Sequence, residues 1–278
     1  MTVITASLVN QLRQATNVSM MECKRALTDA GGDIDKAIRL LRERGVAMAA
    51  KKATRATNQG LVASFTTPDN RTASLVEVNC ETDFVARNAS FQSFVQTLAE
   101  KATGTDAALS ESVKDLVVAK VTEIGENISI RRNTRFVVQG TGRVGAYIHL
   151  GGKLGILVEV NCTKTETLGQ DAFTTLIRDL TLHIAACKPQ YLKPDEVPAD
   201  VITSEREIYA KQVTGKPANV VEKIVDGKLR KYFEEICLLQ QPFVKEPKQT
   251  ITALLEACGK TVGDTLSIRR YTIYQLGA

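Results

Sequence analysis

Tryptophan is absent from this 278-residue sequence, and histidine occurs only at His149 and His183. Two histidines exclude a His-rich metal site, and a Ser-His-Asp triad has almost nothing to draw on. The six cysteines, Cys23, Cys80, Cys162, Cys187, Cys237 and Cys258, form no CxxC pair. They sit inside apolar runs, as buried free thiols do. No apolar run reaches about 18 residues and no signal-peptide pattern is present, so a soluble, cytosolic chain without membrane association is expected. Aromatic residues amount to 5%, which counts against an RNA-binding surface.

What is present is an ordinary globular composition. The apolar fraction is 44%, enough for a real core. The length suggests two domains or three modules. The net charge of +5 comes from 36 basic and 31 acidic residues. This excess is mild and dispersed. It permits an acidic protein partner or RNA without pointing strongly to nucleic acid.

Residues 1–50 read as three short helices. Leu8, Val9 and Leu12 have helical spacing in the first. Ser19 can cap the second, with Glu22 three residues on as in a capping box. Gly31-Gly32 stops it. Asp33 can cap a third, which is expected to end before Gly45. Three tight helices in about 45 residues resemble a ubiquitin-associated-type bundle, a protein-binding module. Met20 and Met21 are adjacent on a helix and cannot both face fully inward. Core and contact surface remain alternatives for them. Residues 51–59, with Lys51, Lys52 and Arg55 among alanines, read as a basic linker.

An internal repeat follows. An offset of 82 residues places Gly60 on Gly142, and the strand Val76-Glu77-Val78-Asn79-Cys80 on Val158-Glu159-Val160-Asn161-Cys162. Phe91, Val95 and Leu98 fall on Phe173, Ile177 and Leu180. A second match places Ile124 to Arg132 on Val262 to Arg270, an offset of 138, so the second copy holds an insertion of about 56 residues. Within 195–239, two amphipathic segments separated by Gly215-Lys216-Pro217 predict an antiparallel, coiled-coil-like helical hairpin. The expected class is therefore α+β. A three-helix bundle (1–50) and basic linker (51–59) precede two duplicated subdomains (60–140 and 141–278), each a small antiparallel sheet plus helix. The second carries the hairpin at 195–239.

Several motifs dissolve under inspection. Gly140-Thr141-Gly142-Arg143-Val144-Gly145 matches GxGxxG, but a strand is expected after it, whereas a dinucleotide loop must open a helix. Gly259-Lys260-Thr261 lacks the earlier glycine of a phosphate loop, because Leu254 occupies its place. Arg131-Arg132 and Arg269-Arg270 recur at equal repeat positions, which favours a structural role such as a solvated strand end over a phosphate site. No catalytic, cofactor-binding or metal constellation emerges. The turn after the first repeated strand, Thr82-Asp83-Phe84-Val85, is different. Asp83 as a helix cap and Phe84 as core is one reading. The second copy has Thr165 and Glu166 at those positions. A scaffold position that accepts Glu argues that Phe84 is an exposed aromatic, a binding anchor. His149 falls at a hairpin end, where a histidine usually faces solvent idly.

The combination of Leu12-Arg13 through Thr16, Met20 to Leu27, Val78 to Val85 and Ile124 to Ile128, in this order, resembles the elongation factor Ts family over nearly the whole chain. The resemblance implies a non-enzymatic exchange factor that binds the GTPase elongation factor Tu in its GDP-bound and nucleotide-free forms, without touching nucleotide itself. It implies that Arg13, Met20, Met21 and Lys24 contact the partner's G domain and that Thr82, Asp83, Phe84 and Val85 reach toward its Mg²⁺ site. It also implies that His149 assists from the second copy, and that Phe243 and Val244 add a contact. Dimerisation within the complex is a further implication, as is the lack of a C-terminal helical module that some members carry. An RNA-binding module using the basic linker and hairpin, or an adaptor without exchange activity, are the alternatives.

Overall fold

Each amino-terminal helix begins where a side chain can satisfy its free amides. The computed structural model describes residues 4–105, 107–213 and 216–278. Thr5 caps α1 (Ala6–Thr16), Ser19 caps α2 (Met20–Asp29) through the amide of Glu22, and Asp33 caps α3 (Ile34–Lys52) through the amide of Lys36. Leu12, Cys23, Ala26, Leu27 and Ala37 are fully buried between the three.

The first copy then runs β1 (Gln59–Thr66), β2 (Thr72–Cys80), the single turn α4 (Asp83–Ala86), α5 (Ala89–Ala102), α6 (Leu109–Ser112), α7 (Lys114–Ile124) and β3 (Ile128–Val137). The second runs β4 (Gly142–His149), β5 (Leu154–Asn161), a 3-10 turn at Thr165–Gly169 and α8 (Asp171–Cys187). After α9 (Ala199–Lys211) and α10 (Ala218–Ile236) come β6 (Pro242–Phe243), β7 (Glu246–Thr250), α11 (Ile251–Val262) and β8 (Ser267–Gln275). The strands form two three-stranded antiparallel sheets, ordered β1-β2-β3 and β4-β5-β8, and β6 pairs with β7. The chain is thus α+β. Gly140 leads directly into β4 rather than into a helix.

The repeated strands β2 and β5 are central and buried on both faces, which explains their nearly continuous apolar text. Helix α5 covers the first sheet with Phe91, Phe94, Val95 and Leu98, and α8 covers the second with Phe173, Leu176, Ile177, Leu180 and Ile184. Truncating Phe91 or Phe173 to Ala would cost about 3–5 kcal/mol each, since neither site is open to solvent. Helices α9 and α10 lie alongside each other, joined by the Arg206–Asp226 ion pair. The base of this pair is closed by the amides of Gln190 and Tyr191, which donate to the Ile236 carbonyl at 2.8 and 3.0 Å. Gly215, part of the expected helix break, lies outside the described residues.

Two expectations need correction. Helix α3 does not end before Gly45 but continues to Lys52. A Cβ at Gly45 would stand 2.5 Å from Thr122 Oγ1, so the glycine allows α3 to press against α7 rather than ending it. The stretch read as a basic linker is held against the first copy. Lys52 donates to the Gly125 carbonyl, the Asn127 side-chain amide donates to the carbonyls of Arg55 (2.8 Å) and Ala53 (3.4 Å), and the Thr57 and Ser129 hydroxyls meet at 3.1 Å.

The two sheets are locked by a pseudo-symmetric set of polar contacts. Glu77 and Glu159, fully buried on the central strands, accept Arg132 Nε and Arg270 Nε, both at 2.7 Å. Each guanidinium then crosses to the other sheet. Arg132 donates to the Gln275 carbonyl at 3.0 Å and lies 4.3 Å from the Tyr274 ring centre. Arg270 donates to the Val137 carbonyl at 3.2 Å and lies 4.1 Å from the Phe136 ring centre. The second carboxylate oxygens accept the amides of Gly277 (2.9 Å) and Gln139 (3.2 Å). A bulge in each outer strand opposes Arg131-Arg132 to Glu77, and Arg269-Arg270 to Glu159, so two successive arginines reach one carboxylate. The paired arginines are therefore structural, but as partners of buried carboxylates rather than as a solvated strand end. The hairpin turns complete the lock. Val62 N donates to Gly152 O and Val144 N to Asn70 O, while Leu276 N donates to Lys153 O and Val138 N to Arg71 O, all within 2.7–2.9 Å.

Removing one partner of a buried ion pair strands the other charge in low dielectric, which costs about 3–5 kcal/mol. Arg132→Ala and Arg270→Ala are each expected to lower unfolding free energy by about 3 kcal/mol, the low end because both guanidinia keep some water contact. Denaturant unfolding checks this. Losses below about 1 kcal/mol at both positions would show that the lock is dispensable.

Candidate functional site

The turn at the carboxyl end of β2 is built as a rigid platform. Glu126, just before β3, accepts the amides of Glu81 (3.1 Å) and Thr82 (3.0 Å) on one oxygen and the Thr82 hydroxyl (2.6 Å) on the other. Glu81 answers by accepting the Asn127 amide at 2.6 Å. That amide holds the Glu81 carboxyl below its ordinary pKa, against burial and with help from Arg55. Thr82, not Asp83, is the N-cap, accepting the Val85 amide at 3.3 Å. Val85 packs inward against the first core, and Asp83 pairs with Arg87 at 3.0 Å.

The side chain on this platform that has no packing role is Phe84. It is 82% exposed, the most open of the large apolar side chains among the described residues. Beneath it the Cys80 thiol is pushed up to about 11 by burial, with the nearby Glu126 charge adding to the effect. That thiol is inert as a nucleophile at neutral pH. The arrangement suits presentation of an aromatic and a carboxylate to another surface.

The second copy builds the same platform without the aromatic. Asp264, equivalent to Glu126, accepts the amides of Thr163 (3.1 Å) and Lys164 (2.9 Å) and the Thr167 hydroxyl (2.5 Å). Burial works to raise the Asp264 pKa, but hydrogen bonds from Thr163, Thr167, Lys164 and Thr265 outweigh it and hold the carboxyl well below the usual range. Glu166, exposed, stands where the first copy has Phe84.

His149 ends β4 and is exposed, with Nδ1 2.9 Å from the Tyr147 hydroxyl. Sequence distance separates it from Asp83, but tertiary structure brings their elements against the same strand, β1. Helix α4 packs against β1, while the β4–β5 turn abuts Leu61 and Val62. A Cβ on Gly152, at φ +91°, would stand 2.7 Å from Leu61 Cδ2, so this close approach needs glycine. The Lys153 charge is near enough to act on Cys80.

Met20 and Met21 are both exposed, on the first turn of α2, with Arg13 and Lys24 also at the surface nearby in the bundle. Both methionines are therefore surface side chains. Phe243 requires correction. It is 5% exposed, part of the second core, with its ring centre 6.1 Å from that of His183. Its ring cannot reach a partner while that core is closed. Val244 is the exposed member of the pair. Sequence reasoning also gave no role to His183. It is fully buried, with Nε2 2.9 Å from Gln241 Oε1 and Nδ1 accepting the Val244 amide at 3.3 Å. It fixes the β6–β7 hairpin to α8. Glu126 and Asp264 were missed as turn clamps, although their matched places before the closing strands were visible in the repeat.

Residues 81–278 match the family described as Elongation factor TS. A protein of Nitratidesulfovibrio vulgaris (strain DP4) named elongation factor Ts is 42% identical over 276 residues, 99% of this chain and 96% of that protein. Proteins of the same name from Trichlorobacter lovleyi and Syntrophotalea carbinolica are 40% and 43% identical, each over 99% of this chain and 93% of the relative.

Burial holds the His183 pKa below 6.5, against the opposing Gln241 hydrogen bond. Below about pH 6.5 the unfolded chain binds a proton at this site that the folded chain refuses. The contribution of His183 is therefore full above that pH and is lost as pH falls, by at most about 1.4 kcal/mol per pH unit. Unfolding of wild type and His183→Gln at pH 7.5 and 5.5 should show a shallower pH dependence in the variant. Identical slopes would mean that the folded imidazole protonates as readily as the unfolded one.

Proposed function

This chain belongs to the elongation factor Ts family, and on that premise we propose that it binds elongation factor Tu–GDP and accelerates GDP release by wedging Phe84 into the GTPase near its Mg²⁺ and phosphate site. The observation that carries this reading is Phe84 itself: 82% exposed, on a turn tied down by Glu126, in one copy of a duplicated fold and not in the other. An exposed aromatic on a rigid base loses little conformational freedom on binding, which is what an anchor requires.

Exchange follows from linkage. A GTPase that holds nucleotide at nanomolar affinity does so with about 12 kcal/mol. A factor that binds the empty form better than the filled form weakens nucleotide by the same ratio that nucleotide weakens the factor. No contact with the nucleotide is needed. Mg²⁺ neutralises the β-phosphate region, so disturbing its surroundings removes much of the nucleotide's hold. In this reading Phe84 separates elements of the GTPase and Asp83, beside it, acts on the metal's hydrogen-bonded neighbours. Thr82 and Val85 hold the turn's shape from behind. The bundle at 1–50 supplies Arg13, Met20, Met21 and Lys24 as a second grip on the G domain. His149 and Val244 add contacts from the second copy, and Phe243 supports Val244 from the core.

Release of a fluorescent GDP analogue from elongation factor Tu, followed by stopped flow, tests the reading. Wild-type chain at micromolar concentration should accelerate release. Phe84→Ala should reduce that acceleration at least about tenfold, while unfolding free energy changes by no more than about 0.5 kcal/mol, as for other surface substitutions. Binding without acceleration by the wild type would make the chain an adaptor. RNA affinity that falls steeply with salt, in place of GTPase binding, would make it an RNA-binding module.

A further inference from the structure

The duplicated fold has two equivalent ends, and the hairpin tip nearest the Phe84 platform is built against its own folding preference. The tip of the first copy, Thr67-Pro68-Asp69-Asn70, closes with the Asn70 amide on the Thr67 carbonyl at 2.8 Å. Proline suits that first turn position, and Asn70 is the residue there with positive φ, as Asn tolerates. The second copy keeps the same closure, Gly152 N to His149 O at 3.2 Å. Yet Leu150, at the place of Pro68, sits at φ +50°, followed by Gly151 at +61° and Gly152 at +91°. Left-handed turns of this kind take Asn, Asp or Gly, because a bulky side chain there crowds its own backbone. Leu150 also gains no burial in return, being 70% exposed. Folding thus gives no reason for leucine at this position, and the first copy shows that the hairpin closes without it.

Location supplies the reason. The tip carrying Leu150 abuts Leu61 and Val62 in the first half of β1, the strand against which the helical turn of Phe84 also packs. Compared position by position, this end of the molecule has Phe84, His149 and Leu150 where the opposite end has Glu166, Thr67 and Pro68. One end thus carries two large apolar side chains and an imidazole where the other carries Glu, Thr and Pro. Backbone strain at an exposed tip is a feature of binding sites, where it positions a side chain for contact.

We propose that Leu150 is a second apolar anchor for the GTPase, held outward by the left-handed turn and engaging the partner alongside Phe84 and His149. This rests on the exchange function proposed above. The partner surface it fits is an apolar depression on the GTPase next to the one that receives Phe84.

The test compares wild type, Leu150→Asn and Leu150→Met in GDP-analogue release from elongation factor Tu, with thermal melts of each chain. Asn suits the left-handed turn and removes the apolar contact, so Leu150→Asn should melt at the wild-type temperature or above it. Its acceleration of release at subsaturating factor should fall about tenfold. Leu150→Met, which keeps an apolar side chain of similar volume, should retain most of the acceleration. Wild-type acceleration that Leu150→Asn matches would overturn the anchor and leave the exchange function standing. A melting temperature several degrees lower for Leu150→Asn would also overturn it, by making Leu150 a structural residue. Absence of acceleration by the wild type would remove both readings together.

Discussion

Two buried carboxylates organise this molecule. Glu77 and Glu159 lie at the centres of their sheets with no solvent access, and each is tolerable only because arginine reaches it. That arginine does not stay within its own sheet. A second nitrogen and its flat cationic face engage the carbonyl and the aromatic ring of the opposite closing strand. The charge that one sheet must bury is thus neutralised by a group that also binds the other sheet. Neither half satisfies its own polar groups alone, and the placement of the halves combines directional hydrogen bonds with an apolar interface in which Val62, Leu75 and Phe136 of the first copy meet Val144, Leu157 and Tyr274 of the second.

The platform under Phe84 repeats this use of a carboxylate on a smaller scale. A turn that must hold a large apolar side chain in water gains nothing from burying it. Its shape has to come from the backbone. Glu126 fixes two successive amides and a hydroxyl, and Glu81 returns the contact to Asn127. Asp264 does the same for the second copy. The residues at the tip are then free to vary, because none of the bonds that fix the turn involves them. Phe84 and Glu166 occupy matched places on these clamped turns, whereas Pro68 and Leu150 sit at matched hairpin positions whose backbones differ in hand. A duplicated fold with clamped tips allows one end to acquire a contact surface while the other keeps a polar one.

Much of the candidate site was legible in the sequence because the chain contains its own control. Without the second copy, Phe84 could equally have been core. The Glu at the matched position decided the matter, and the side chain is exposed. Where no such control existed, reading failed. Phe243 follows a proline and precedes an exposed valine, and nothing local distinguishes it from a surface aromatic. It is buried because His183, some sixty residues earlier, packs against it. Gly45 looked like a helix end because glycine often is one. In the fold it is an interior position where two helices come close.

By itself the sequence determined the elements, the duplication, the inserted helices and the odd tip at Thr82 to Val85. These are properties of short-range chemistry: apolar periodicity, caps, breakers and repetition of text. Tertiary structure decided which charges are buried, which of the recurring arginines crosses between the sheets, and that the turns carrying Phe84 and Leu150 both lie against β1. Those facts depend on contacts between residues far apart in the chain. A run of amino acids specifies such contacts only once the two sheets have closed on each other, because until then the carboxylates are hydrated and the arginines have no carbonyl to reach.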